Sequence, residues 1–407
     1  MSPSRKPKPS ASRLPGWLVT VLPLAALAGL VAVMALTNPL AVFQANLPPI
    51  EILNFERVLV TETGFEATLI NAGPSPVTIA QVLVDDAYWN FEISPSTIIP
   101  RLGRAMLTLE YPWVEGDMHV ITALTDTGVA FEAEIPVATL SPTAGQQEIL
   151  AYGLLGVYVG ILPVGLGMLW YPAMRRAGRR ALGAILALTI GLLVFLLVDT
   201  ILEALEVAGD APGPFQGVPL VIFAALLTWM AISAVGASQR SSDLPEAARR
   251  QGLATRIALG IGLHNLGEGL AIGAAFAIGE VALGSFLVIG FTLHNVTEGV
   301  GIAAPLIPGP DSREAGPKLG TFVTLTILAG APAILGAWIG GFAFSPVLAA
   351  LFLGVGAGAI WQVIVDVTAL LRRTAERHKT SLLSPANGAG FVAGILIMYV
   401  TALLVKF

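Results

Sequence analysis

The chain has no cysteine and only four histidines in 407 residues. Without thiols there is neither a disulfide framework nor a thiolate metal site, so any metal chemistry must use His, carboxylate, amide or Met ligands. Charge is scarce too: Asp, Glu, Lys and Arg make up 12% of the residues, about half the share found in an ordinary soluble domain. That excludes a simple soluble enzyme. The net charge is -5 and the basic residues are scattered, so there is no stripe for nucleic acid and no nucleic-acid partner is expected. What is present is apolar: 55% hydrophobic residues with 44 Gly and 28 Pro, and a mean hydropathy of +0.78. Gly and Pro are commoner in transmembrane helices than in soluble ones. The class expected is a polytopic α-helical membrane protein whose first partner is the lipid bilayer.

About 20 mainly apolar residues cross a hydrocarbon core roughly 30 Å thick. The first such run spans about 15–36, behind a basic start with Arg5, Lys6, Lys8 and Arg13. It reads as a signal anchor, so residues 1–37 form a cytoplasmic tail and anchor helix. A cleaved signal peptide is the alternative, but the apolar run exceeds the usual core of such peptides. Eight further spans follow at about 149–171, 182–206, 218–237, 254–278, 282–306, 320–343, 347–371 and 388–406.

Residues 38–147 have a different composition. Charges return, and alternating runs (VLVTET, FEATLI, VTIAQVLV, MLTLEY, VITALT) are separated by turn signals such as NAGPSP and TDTG. Roughly seven short strands at this spacing predict a two-sheet, immunoglobulin-like β-sandwich. Its residues name no partner; binding a partner, dimerising and shielding the outer entrance are equally open, and a homodimer is one expectation.

Lys and Arg are retained on the cytoplasmic side of membrane proteins. With the N-terminus inside, all of them fall in cytoplasmic segments except Arg57, Arg101, Arg104 and Lys406. Arg249, Arg250 and Arg256 are among the cytoplasmic set. The topology expected in the cell membrane is therefore N-terminus in, β domain out, eight more helices, C-terminus out.

An ionisable side chain at membrane depth costs about 2.5 to 3.5 kcal/mol on insertion scales, so each one points to function. The fourth bundle helix carries HNLGEGLAIG, with His264, Asn265 and Glu268; the fifth carries HNVTEGVGIAAP, with His294, Asn295 and Glu298. In each, His and Glu are four residues apart and share a helical face, where imidazole and carboxylate can reach one ion. A tight turn at Gly279 and Glu280 would bring the two faces together near the membrane midplane. One membrane His is readily explained as a hydrogen-bonded core residue. The repeat of H-N-x-x-E-G 30 residues later, in a helix of opposite direction, is not something packing requires. Gly269 and Gly299 follow the two glutamates and allow close helix approach. Asp199 and Glu203, with Glu206 near the exit of the second helix, and Gln362 and Asp366 in the seventh, are candidate pathway groups on either side. His119 in the β domain and His378 in a basic loop read as lone, solvated residues.

The paired motifs resemble those of the ZIP (Zrt-, Irt-like) family of divalent metal transporters, whose bacterial members carry an HNxPEG-like motif in both helices. The resemblance covers about residues 148–407 and leaves the β domain out. It implies an eight-helix bundle of inverted repeats in which one helix group moves against the other, with His264, Glu268, His294 and Glu298 as primary ligands. Asn265 and Asn295 would adjoin them, and Asp199 and Asp366 match acidic or polar pathway positions more loosely. The motif proline is replaced by Gly267 and Thr297. Where many members have Glu before a sixth-helix proline, this chain has Ala331 before Pro332, which implies one metal rather than two. The loop SQRSSDLPEAARRQ has no His, so metal sensing there is not expected.

The function expected is a transporter, not an enzyme, that moves a divalent transition metal into the cytoplasm by alternating access. Zinc heads the substrates, with iron(II), manganese, cobalt and cadmium also suited to these ligands, and no organic cofactor is implied. The alternatives are a membrane-embedded metal-dependent hydrolase, which would need an open coordination position and a Glu base, and a non-transporting metal sensor.

Overall fold

The computed structural model describes residues 16–37, 50–143, 145–238, 245–308, 316–377 and 379–405. Of the basic residues and histidines, Arg5, Lys6, Lys8, Arg13, Arg240, Arg313, His378 and Lys406 lie outside the described residues. The chain divides into two units, Met1–Pro49 and Ile50–Phe407. The described part of the first is α1 (Gly16–Thr37), a 22-residue helix without a charged side chain, matching the run expected as the anchor.

The second unit opens with nine strands: β1 (Leu53–Thr61), β2 (Gly64–Asn71), β3 (Val77–Val84), β4 (Ala87–Trp89), β5 (Glu92–Ser94), β6 (Ile98–Ile99), β7 (Arg104–Glu110), β8 (His119–Thr125) and β9 (Ala130–Ile135). One sheet has the order β1-β2-β7-β5, the other β4-β3-β8-β9 with β6 on β3, and every pairing is antiparallel. Alternation decides what lies between them. In β8, His119, Ile121, Ala123 and Thr125 point inward, and in β2 and β7 Phe65, Ala67, Leu69, Leu107 and Leu109 do the same, so both sheets feed one core.

Helices fill the rest: α2 (Gln146–Gly156), α3 (Leu162–Met168), α4 (Tyr171–Arg176), α5 (Arg179–Asp210), α6 (Gly217–Ser238), α7 (Glu246–Ala277), α8 (Val281–Ala303), α9 (Leu319–Gly330), α10 (Pro332–Ala343), α11 (Pro346–Arg377) and α12 (Pro385–Val405). Two of the spans are interrupted. A π-turn at Val157–Ile161 links α2 to α3, and α9 breaks into α10 at Ala331, just before Pro332. Counted as spans, eight helices among the described residues are long and apolar enough to cross a bilayer, so the chain has the build of a multi-pass membrane protein. The most enclosed is α7, with 78% of its most apolar stretch buried against 17% for α6. It packs against α8, α9, α10 and α11, while α5 packs against α11 and α12.

Small residues set how closely α7 and α10 meet. A Cβ on Gly336 would overlap the Leu266 carbonyl, and one on Gly269 the Ala333 carbonyl, so the two backbones touch where any side chain would hold them apart. The β-sandwich rests on the C-terminal end of α10. Arg57 on β1 donates to the carbonyls of Phe342 and, at 3.2 Å, of Gly341. A guanidinium at a helix C-terminus satisfies carbonyls left without intrahelical donors and complements the helix dipole. Beside it Glu56 accepts from Arg104 at 2.6 and 2.8 Å and from Ser345 at 3.3 Å.

Candidate metal centre

The two motifs fall on α7 and α8, and the connection between those helices is the tight turn expected. Gly279 adopts φ +82°, a left-handed conformation that a side chain would oppose. The chain therefore reverses within three residues, and the motif faces of α7 and α8 meet in the bundle interior. His264, Asn265, Glu268, His294, Asn295 and Glu298 are all buried.

His264, Glu268 and His294 form a compact set: one ligand atom from each lies within 4.8 Å of the other two. Glu268 Oε1 faces Nε2 of His264 at 3.0 Å and also Nε2 of His294, and Glu268 Oε2 accepts from the Asn295 amide at 3.0 Å. Nδ1 of His264 is 3.5 Å from the Thr200 hydroxyl on α5. The carboxylate thus holds both imidazoles in register from the middle of the set.

The two asparagines serve the helix breaks as well. Asn295 donates to Val159 O at 3.1 Å and Asn265 to Ala329 O at 3.1 Å. Pro163 has no N–H, so Val159 O, four residues earlier, has lost its helical donor, and Asn295 replaces it. The Asn265 amide nitrogen is spent on backbone and that of Asn295 on backbone and Glu268, and each Oδ1 is left buried without a hydrogen bond; the same holds for both oxygens of Glu298 among the described residues. Glu298 lies beside Asn265 but outside the compact set of three. The region therefore concentrates acceptor oxygens and imidazole nitrogens and has few donors, a balance that a cation corrects and that further packing does not.

A cavity of about 710 Å³ reaches this cluster from the end of the bundle that carries the α7–α8 turn. Asp199, Glu203 and Glu206 line it, together with Thr200, His264, Glu268 and His294. Three of the four acids of α5 thus share one cavity with the cluster.

At the other end a cavity of about 480 Å³ stops at Arg256 and Asp366. Between the two, Ile257, Ile261, Ile360 and Val363 are packed into the bundle core, and α7 meets α11 so closely that a Cβ on Gly260 would lie 2.5 Å from Val363 Cγ2. Gln362 and Asp366 are already engaged there. Ser233 donates to Gln362 Oε1 at 2.6 Å, and Arg256 Nε lies 3.0 Å from Asp366 Oδ2, with side-chain exposures of 13% and 6%. Arg256 is therefore drawn into the bundle by Asp366, a pairing that the sequence did not show. The available signal was its position eight residues before His264, which puts both on one face of α7. Thr200 and Ser233 carried no such signal.

His119 also departs from expectation. As the first inward position of β8 it is buried, packed on Phe65 and Tyr111, with Nδ1 2.7 Å from Asp85 Oδ2. Burial pushes the Asp85 carboxyl up, but hydrogen bonds from His119, the Val120 amide and Tyr111 outweigh it and hold the group below the usual carboxylate range.

Neither protein-family models nor curated proteins yield a match to this chain.

Proposed function

We propose that the chain carries a divalent transition metal across the membrane, that His264, Glu268 and His294 hold the ion in transit, and that the bundle is a ZIP-like one. The observation that supports this most is the buried set of two imidazoles and one carboxylate at the end of an acid-lined cavity. Imidazole with carboxylate suits zinc, iron(II), manganese or cobalt. Zinc is the first candidate.

In this reading Asp199, Glu203 and Glu206 raise the local cation concentration at the mouth. The ion then takes the place of the proton between Glu268 and the imidazoles, and Asn265, Asn295 and Glu298 offer oxygen donors on the far side. Passage onward requires α7 and α11 to part at Gly260 and Val363 and Arg256 to turn away from the path, as alternating access demands. The positive-inside bias puts the acid-lined mouth outside. The β-sandwich, whose strand orders β1-β2-β7-β5 and β4-β3-β8-β9 match an immunoglobulin-like arrangement, then stands on the outer surface. No covalent chemistry is involved, and the metal is cargo.

One observation favours a second reading. The packed layer between the two cavities is also what a sensor that binds metal without passing it would have. Uptake into proteoliposomes of the full chain, screened over zinc, iron(II), manganese, cobalt and cadmium, separates the two. Flux in the parent that is lost in His264→Ala and His294→Ala supports transport. Metal bound by the parent without flux supports the sensor.

A further inference from the structure

We propose that the groove between the N-terminal part of α7 and the C-terminal part of α11 is a binding site for an anionic phospholipid. The inference rests on the bundle lying in a bilayer and is independent of the metal reading.

The cavity of about 480 Å³ at this end is lined by three guanidiniums, Arg249, Arg256 and Arg373, against one carboxylate, Asp366. Asp366 is already paired with Arg256. Arg249 and Arg373 are exposed, and neither has an ion-pair or hydrogen-bond partner among the described residues. Two like charges thus line one groove between facing helices, and the carboxylates nearby, Asp366 and Glu246, already serve Arg256 and Arg250. The two arginines would also repel a departing metal ion.

The chemistry of the walls identifies the ligand. Arginine forks match the paired oxygens of a phosphate, and the size is that of a small-molecule site. A second cavity of about 330 Å³ shares Arg249, Leu253, Leu370 and Arg373 with the first and continues along Leu182 and Leu186 of α5. Glu246, at its edge, is engaged by Arg250 at 3.3 Å. A polar, cationic rim that opens onto leucines of a membrane-spanning helix fits an amphiphile: phosphate on Arg249 and Arg373, acyl chain along the half-buried Leu253 and Leu182. Basic pockets between transmembrane helices on the cytoplasmic side recognise such headgroups, and the positive-inside bias puts this end of the bundle there.

The test equilibrates the full chain in detergent with equal amounts of phosphatidylglycerol and phosphatidylcholine bearing identical acyl chains, and counts retained lipid by native mass spectrometry. With a factor of about five for each arginine, the parent should prefer phosphatidylglycerol roughly 25-fold. Arg249→Gln with Arg373→Gln should bring the preference close to unity, Arg249→Gln alone should reach an intermediate value, and the pair Arg249→Lys and Arg373→Lys should keep most of it. Arg372→Gln, next in sequence and within reach of Glu376, should change nothing. Equal retention of both lipids by the parent, or an undiminished preference in the double Gln variant, would overturn the proposal. So would displacement of phosphatidylglycerol by inorganic phosphate at matched concentration, which would make the site one for a soluble anion. Melting temperatures in phosphatidylcholine check that each variant is folded; if the double Gln variant is not, the single variant and the Lys pair decide.

Discussion

Replacing Arg256 by Met should destabilise the bundle far more than an average substitution. Asp366 has Arg256 as its one ion-pair or hydrogen-bond partner among the described residues, at 3.0 Å, and its side chain is only 6% exposed. Opposite charges about 3 Å apart attract by roughly 5 to 6 kcal/mol at an effective dielectric constant of about 20. Desolvation of both groups offsets much of that, so the net value of the pair is small. Removing one partner is a different matter: it leaves a buried carboxylate with its desolvation cost and without its counter-charge, and that costs about 3 to 5 kcal/mol. Arg256→Met should therefore lower stability by that amount. Combining it with Asp366→Asn should restore at least about 2 kcal/mol, because the charge that lacked a partner is then gone. The assay is a double-mutant cycle from equilibrium unfolding of the full chain, with SDS titrated into dodecyl maltoside micelles and tryptophan fluorescence as readout. A coupling energy below about 0.5 kcal/mol, or an Arg256→Met variant as stable as the parent, would refute the idea that these charges are held together inside the bundle.

Gly336→Ala should part α7 from α10, because its Cβ would overlap the Leu266 carbonyl, a backbone atom that cannot swing aside. A loss of about 1 to 3 kcal/mol is expected in the same unfolding assay, with weaker metal binding through displaced Glu268. Gly165→Ala, whose Cβ would meet only Thr326 Cγ2 at 3.5 Å, should be neutral. Glu268→Gln keeps the shape of the side chain and removes its charge, so it should weaken zinc binding by at least tenfold in calorimetric titration; unchanged affinity would show that Glu268 is not a ligand. The β-sandwich should lose stability in acid. The Arg104 guanidinium holds the Glu56 carboxyl below its usual range, and Asp85 is lowered as described. A carboxylate with a depressed folded-state pKa contributes stability that is complete above its unfolded value of about 4 and is lost as pH falls through the folded value. Melting curves of the full chain followed through β-sheet circular dichroism should therefore shift down below about pH 4, and Glu56→Gln should flatten that dependence.

Hydropathy found the eight spans because a run of about 20 apolar residues in a chain has one stable use. Alternation found the main strands, while β4, β5 and β6, three residues or fewer, are too short to show a period of two. The candidate site was legible for a similar reason: the spacing of four within H-N-x-x-E-G places His and Glu on one face whatever the rest of the fold does. His119 was misjudged, and the pairing of Arg256 was not legible, because a lone His in a strand, or a basic residue near a span end, has no sequence mark that separates burial from solvation. Burial depends on what the neighbouring element presents, and only Asp366 on α11 and Asp85 after β3 supply it.

The sequence by itself therefore determined the local terms: eight apolar helices, a β-rich insert, two repeated His–Glu faces, and the absence of any thiolate alternative. Tertiary structure decided the relations between distant residues. It brought Glu268 between His264 and His294, turned the asparagine amides toward carbonyls at the helix breaks, divided the acids between one cavity with the cluster and one buried ion pair, and left Arg249 and Arg373 facing each other across a groove. Periodicity is written along one chain, whereas pairing across helices follows from close packing, which no single stretch of sequence contains.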